Sequence, residues 1–391
     1  MKSRLGARLS LFSANFFIYG LNALYYNLMQ KYLETVVKGS NATVTIGILL
    51  AIGPLVSIFA PILWGYVADR SKSKNAVLSV TVFFSAIFFF LLMMNNSPIY
   101  LAIMLGVLMF FMSAYPGIID IITIEYTSAN NMGYGPIRVT GALAFGLATL
   151  VLSSMTANGY GPMFYGYVIM AALAIVSIMA APRVEGHGSG KGENAKKTSI
   201  TVLFKDGKLM LLFLFVGVVQ FAWAYYTNFF PAHLSGTLKQ PDSIWGVYAL
   251  LTVLGEVPFF LAFNKLFDKI GIRKLMLISF LLSVLRYAVL AFVTNVAALL
   301  AFGFVTGFAV TVFTYCTSVY INKYIAPENK ASANSLMYAL GNGIPRVLAA
   351  ALGGIMTQYL GYVSSMIACT ALCAVSVVIF LPTFYKDKNI D

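Results

Sequence analysis

Twelve apolar runs follow one another along this 391-residue chain, separated by short polar stretches. They lie near residues 8–32, 43–67, 75–95, 98–124, 136–157, 161–182, 208–232, 243–267, 273–294, 296–322, 331–358 and 360–382. A helix needs about 20 predominantly apolar residues to cross a bilayer, so each run is a candidate span. The first run is too long for a cleaved signal peptide, and Asn15, Asn22 and Asn27 make it too polar inside. Between the sixth and seventh runs the pattern breaks. Residues 183–207 are charged and glycine-rich, as in Glu185-Gly186-His187-Gly188-Ser189-Gly190-Lys191, and read as a flexible linker. The expected organisation is an all-α membrane protein with two six-helix bundles, residues 1–182 and 208–391, joined by that linker.

Composition supports this reading. Hydrophobic residues make up 60% and charged residues 10%, where a soluble domain carries about 25% charged. The net charge of +13 could suggest a nucleic-acid partner. Its placement argues for topology instead. With the N-terminus inside, cytoplasmic loops and tails hold 21 of the 26 Lys and Arg. Lys31, Lys38 and Lys239 fall outside, and Arg286 and Arg346 fall within spans. That asymmetry orients a multi-pass protein with both termini in the cytoplasm. Cys316, Cys369 and Cys373 all lie in spans and show neither disulfide nor metal spacing. Gly190-Lys191 lacks the glycine placement and following Ser or Thr of a phosphate-binding loop. No metal, cofactor or catalytic group is expected, and the chain is read as a monomer in the bilayer.

The two halves echo each other. Gly65-Tyr66-Val67-Ala68-Asp69-Arg70-Ser71-Lys72-Ser73-Lys74 follows the second run, and Asn264-Lys265-Leu266-Phe267-Asp268-Lys269 follows the eighth. Asp69 and Asp268 are 199 residues apart; Tyr25 and Tyr225, in the first and seventh runs, are 200 apart. Matching offsets argue for a duplicated unit, which is common in transporters. The Gly-x-x-x-Asp-Arg stretch with its spaced basic residues resembles the signature of the major facilitator superfamily. The second copy has Asn264 in place of the glycine. On this reading Gly65 allows close helix contact. Asp69, Arg70, Asp268 and Lys269 act in conformational change, through pairing or helix capping.

Several polar residues are candidates for a solute cavity. Asn22, Tyr25 and Tyr26 in the first run and Gln220, Trp223 and Tyr226 in the seventh either line a cavity or bond neighbouring helices. Gly133-Tyr134-Gly135-Pro136-Ile137-Arg138, opening the fifth run, resembles the glycine-arginine motif of the lactose permease and nucleoside symporter branch. The resemblance implies that Arg138 works with a carboxylate of the fourth span. Glu125 is the nearest in order, and Asp120 precedes it.

Three charges sit near the centres of spans: Glu256, Arg286 and Arg346. A charge there costs about 2.5–3.5 kcal/mol on insertion scales, so each needs a partner or water. Pro258 and Pro345 lie beside two of them and free backbone carbonyls, as Pro116 does ahead of Asp120. Freed carbonyls at membrane depth are tolerated where they line protein or a wet cavity. Glu256 and Arg286 also match the lactose permease-like branch, which implies a role in solute binding and proton coupling. The tenth run, Phe313-Thr314-Tyr315-Cys316-Thr317-Ser318, lacks the histidine and carboxylate that lactose permease has there. Arg346 is expected to meet Asp120, freed carbonyls or the solute itself. The resemblance implies a secondary transporter, driven by protons or by sodium as the alternative ion. Its expected solute is small and polar, of the sugar or nucleoside type. The rival readings are an exporter in the same fold and a non-transporting receptor or scaffold.

Overall fold

The structure, a computed structural model, describes residues 4–130, 132, 134–156, 159–186, 201–326 and 329–385. The reading of 187–200 as a flexible linker lies outside them. The described residues make twelve helical passes. They are α1 (Arg4–Val36), α2 (Ala42–Arg70), α3 (Lys74–Met94), α4 (Pro98–Ala129), α5 (Gly135–Met155), α6 (Gly161–Ala180), α7 (Gly207–Gly236), α8 (Ser243–Ile270), α9 (Ile272–Phe292), α10 (Val296–Tyr324), α11 (330–360) and α12 (362–385).

Local sequence sets these boundaries. Ser73 and Asn295 cap α3 and α10, their side chains accepting from the Ala76 and Ala298 amides at 3.3 and 3.1 Å. Pro98, Pro136 and Pro162 occupy first turns, where a missing amide hydrogen costs nothing. The α11–α12 division falls at Gly361, whose φ of 79° suits glycine. Several passes are interrupted. α4 breaks at 113–114, just before Pro116, and α10 at 307–308. Ahead of Pro345, α11 widens into π turns over Met337–Gly343, while α8 continues through Pro258. Of the three prolines noted in the sequence, two therefore sit at interrupted backbone.

The chain divides into two compact units. The first comprises Met1–Glu193 and Leu234–Leu250, the second Asn194–His233 and Leu251–Asp391. In the first unit α1 runs along α5 and α6, α3 lies between α4 and α6, and α2 packs on α4. α1 is nearly enclosed, which its amides require: Asn15 donates to Thr123 at 3.0 Å and Asn27 to Thr149 at 2.7 Å. In the second unit α9 is central, against α10 and the α11–α12 pair.

Candidate functional site

In the second unit, close backbone approach places the polar groups. A Cβ on Gly217 would stand 3.1 Å from Pro345, and one on Gly341 would stand 3.0 Å from Val216. The α7 and α11 backbones are thereby near enough for Arg346 to reach Gln220 and Trp223. Arg346 donates from Nε and Nη2 to Gln220 Oε1 at 3.2 and 3.0 Å, and its guanidinium carbon lies 4.5 Å from the Trp223 ring centroid. Gln220 Nε2 donates to Thr314 Oγ1 at 3.3 Å.

Arg286 is 1% exposed. It donates to the Thr306 carbonyl at 3.2 Å and to the Tyr226 hydroxyl at 2.6 Å, with its guanidinium carbon 4.7 Å from the Tyr226 ring centroid. The Thr306 carbonyl ends the first half of α10, where the break leaves carbonyls without helical donors. A cation there is favoured by the helix dipole. Glu256 is half-buried and accepts from Thr311 Oγ1 at 3.3 Å. This contact follows from a reciprocal glycine packing. A Cβ on Gly255 would collide with the Phe304 carbonyl, and one on Gly307 with the Thr252 carbonyl.

In the first unit, Asp120 Oδ1 accepts from the hydroxyls of Tyr19 at 3.1 Å and Tyr134 at 2.9 Å, and stands 4.0 Å from Arg138 Nε. Arg138 lies over the Tyr19 ring, 4.0 Å from its centroid. Glu125, the carboxylate nearest in order to Arg138, is 2.5 Å from Lys74 Nζ. Five residues rotate a helix by about 140°, so Asp120 and Glu125 serve different faces of α4. Asn22 bonds back to the Ile18 carbonyl at 3.3 Å. Tyr25 and Tyr26 stack edge to face at 5.1 Å; Tyr26 is exposed, while the Tyr25 hydroxyl packs where Gly53 has no side chain.

The first copy of the motif departs from its expected packing. Among the described residues nothing lies within 4 Å of a Cβ at Gly65, so that glycine makes no close helix contact with them. The close approach belongs to Gly186, whose Cβ would collide with the Asp69 and Ser71 carbonyls. Residues 182–186 are stitched to the α2–α3 turn. Gly186 N donates to Ser71 O at 3.0 Å, Lys74 N to Val184 O at 2.9 Å and Arg183 to Lys72 O at 2.7 Å. Asp69 is exposed and 3.9 Å from Lys74 Nζ, and Arg70 covers the Tyr66 ring at 3.9 Å. Lys269 is exposed; the Asp268 side chain lies outside the described residues.

A third cluster borders a cavity of about 670 Å³ at and beyond the end of the first predicted span. Lys31 Nζ meets Asp242 at 3.2 Å, Glu34 at 3.4 Å and the Ser235 hydroxyl. Tyr160 donates to Asp242 at 3.2 Å and Gln30 to Glu34 at 2.8 Å. Burial pushes the Glu34 carboxyl above its ordinary range, and Lys31 opposes that rise. Sequence reading took Lys74 and Tyr134 only as members of motifs and Gly186 only as part of the linker, gave none of them a partner, and did not single out Asp242. Folding gave each of them its partner.

Twelve helical passes among the described residues, with Arg286 buried and Arg346 half-buried at mid-helix among amides, phenols and carbonyls, have the build of a polytopic carrier. The chain belongs to the MFS_1 like family, whose model matches residues 8–368. It is 25% identical over 336 residues to the uncharacterized transporter YwbF of Bacillus subtilis, covering 85% of this chain and 82% of that one. It is 24% identical over 369 residues to the maltose permease of Geobacillus stearothermophilus, covering 90% and 88%. The crystal structure of nucleoside transporter NupG superposes with a TM-score of 0.84 at 19% identity, covering 97% of this chain and 99% of that one. The protein is a multi-pass membrane transporter of small solutes and not an enzyme.

Proposed function

We propose that this protein carries out proton-coupled symport of a small polar organic solute, of the sugar or nucleoside type. It works by alternating access between two six-helix halves, residues 1–182 and 208–391, joined by the 183–207 linker. It resides in a cell membrane with both termini and the linker cytoplasmic, as the lysine and arginine asymmetry favours. The permease and transporter relatives support the solute class. The observation that carries the reading is the polar constellation in the middle of the second unit: Arg346 on Gln220 and Trp223, Arg286 on Tyr226, and Glu256 on Thr311. Ionisable groups at mid-span have a cost that a passive scaffold has no need to bear. In the first unit Asp120, Arg138, Asn22, Tyr25 and Tyr26 are proposed to face solute, with Glu125 in the coupling network. Asp69, Arg70, Asp268 and Lys269 govern conformational change.

Glu256 is the proposed proton carrier. In liposomes with an inward proton gradient, the wild type should accumulate solute, and a sodium gradient alone should not replace it. Glu256→Gln should abolish uphill accumulation while sparing solute exchange. A glutamine variant that still concentrates solute would exclude Glu256 from coupling.

A further inference from the structure

The polar cluster at the end of α1 joins that helix to the corner between α7 and α8. Lys31 Nζ reaches Asp242 Oδ1 at 3.2 Å, Glu34 Oε2 at 3.4 Å and the Ser235 hydroxyl. An ammonium has three donors, and these partners take all of them. Tyr160 donates to the other oxygen of Asp242 at 3.2 Å, and Gln30 to the other oxygen of Glu34 at 2.8 Å. Each of these donors and carboxylate oxygens is engaged, which marks a joint and not a vacant ligand site. Further along the corner, Trp245 Nε1 donates to the Asn27 carbonyl at 3.0 Å. A Cβ on Gly246 would stand 2.7 Å from Leu150 Cα and collide with the Ser153 hydroxyl, and one on Gly146 would stand 3.0 Å from Leu250 Cα. The corner thus meets α5 at backbone distance.

By sequence, Leu234–Leu250 belongs to the second half, 208–391, yet it packs within the first unit. α7 runs from Gly207 to Gly236 and α8 from Ser243 to Ile270, so both helices cross the unit boundary. Pro258, the proline inside α8, lies about two turns beyond Leu250. A helix with no proline or π turn at the crossing has no hinge there. When the halves rock, α8 therefore carries the corner with it and peels it from α1, α5 and the start of α6.

We infer that the α7–α8 corner is a detachable clasp on the outer face, with the Lys31–Asp242 pair as its catch, and that solute enters from outside only after the pair parts. This rests on the transporter reading and its topology, and names the residues that control outer access.

Ser153 is 2% exposed, lies beneath Gly246 and serves as the reporter. In full-length Ser153→Cys protein in lipid nanodiscs, the rate of modification by a charged thiol reagent reads how often the corner lifts. Cys316, Cys369 and Cys373 are buried in the second unit, and their modification in the same molecules reads unfolding. Asp242→Asn and Lys31→Met should each raise the reporter rate about tenfold, the loss expected for a charged hydrogen bond, with the native cysteines unmodified. Tyr160→Phe removes one hydroxyl and should raise it about threefold. The Lys31→Met/Asp242→Asn double variant should gain less than the product of the two, because either change alone parts the pair.

An unchanged rate in folded Asp242→Asn overturns the inference. So does a rise matched by the native cysteines, or a fully multiplied effect in the double variant. If Asp242→Asn does not fold, Tyr160→Phe decides, and an unchanged rate there overturns the inference. Uptake of maltose and uridine into proteoliposomes is measured alongside. Protein-dependent uptake with unchanged reporter rates would leave the transporter reading standing while this inference fell. Raised reporter rates without uptake of any small solute would keep the clasp and count against the reading itself.

Discussion

Lys74 opens α3 in a charged loop, yet its side chain is 1% exposed and it stands between Asp69 and Glu125. Lys31, counted from sequence as an external basic residue, is likewise enclosed by Glu34, Asp242 and Ser235. Charge type is legible residue by residue, but the Asp242 and Glu125 partners are not, because they lie 211 and 51 positions from Lys31 and Lys74. Glu34 yields a pH dependence with a definite sign. Its folded pKa lies above the ordinary 4.5 because burial outweighs Lys31 and Gln30. The folded state therefore holds this proton more tightly than the unfolded chain. Stability contributed by the protonated form is present below pH 4.5 and is lost as pH rises to the raised folded value. Thermal melts in detergent from about pH 4 to about pH 8 should show that decline, and Glu34→Gln should flatten it. An undiminished slope in the glutamine variant would assign the dependence to another group.

Among the elements, what matters for the site is where helices are interrupted and where their backbones touch. The break of α10 at 307–308 exposes the carbonyl that Arg286 takes, and the π turns of α11 precede Arg346. Proline positions made two of these interruptions readable in advance, at α4 and α11. The α10 break has no proline; Gly307, at the break, lies against Thr252. Gly255 and Gly307 hold α8 and α10 at backbone contact and so bring Thr311 to Glu256. Alanine at either position should destabilise the protein by about 1–3 kcal/mol, as overpacking does. The double variant should lose less than the sum, because the first substitution already parts the same two helices. Melting temperatures of the three variants in one detergent check this; full additivity would mean that the two contacts are independent.

For the whole molecule, the half-length echo of Asp69 and Asp268 raises a prediction about turnover. Asp69 is an exposed side chain on a turn tied down by residues 182–186, remote in kind from the mid-helix polar groups. Asp69→Asn should slow transport about tenfold and change solute affinity by less than about twofold, since it affects interconversion and not binding. Parallel measurement of uptake rate and equilibrium binding decides it; normal turnover with greatly reduced affinity would place Asp69 in the binding site. The sequence by itself determined the twelve passes, the all-α class and the family, and it named Gln220, Trp223, Tyr226, Glu256, Arg286 and Arg346, which the second unit brings onto polar partners. Those properties depend on hydrophobic runs and local motifs, which the bilayer makes compulsory because unsatisfied backbone groups cannot persist in hydrocarbon. Only the tertiary structure decided the pairings: Arg138 with Asp120, Glu125 with Lys74, Arg346 with Gln220, and Gly186 rather than Gly65 at the close approach. Those depend on helix rotation and on helix contacts between distant stretches of chain. Helix rotation follows from packing small residues against backbone, and no single-chain hydrophobic pattern encodes which neighbour will be met.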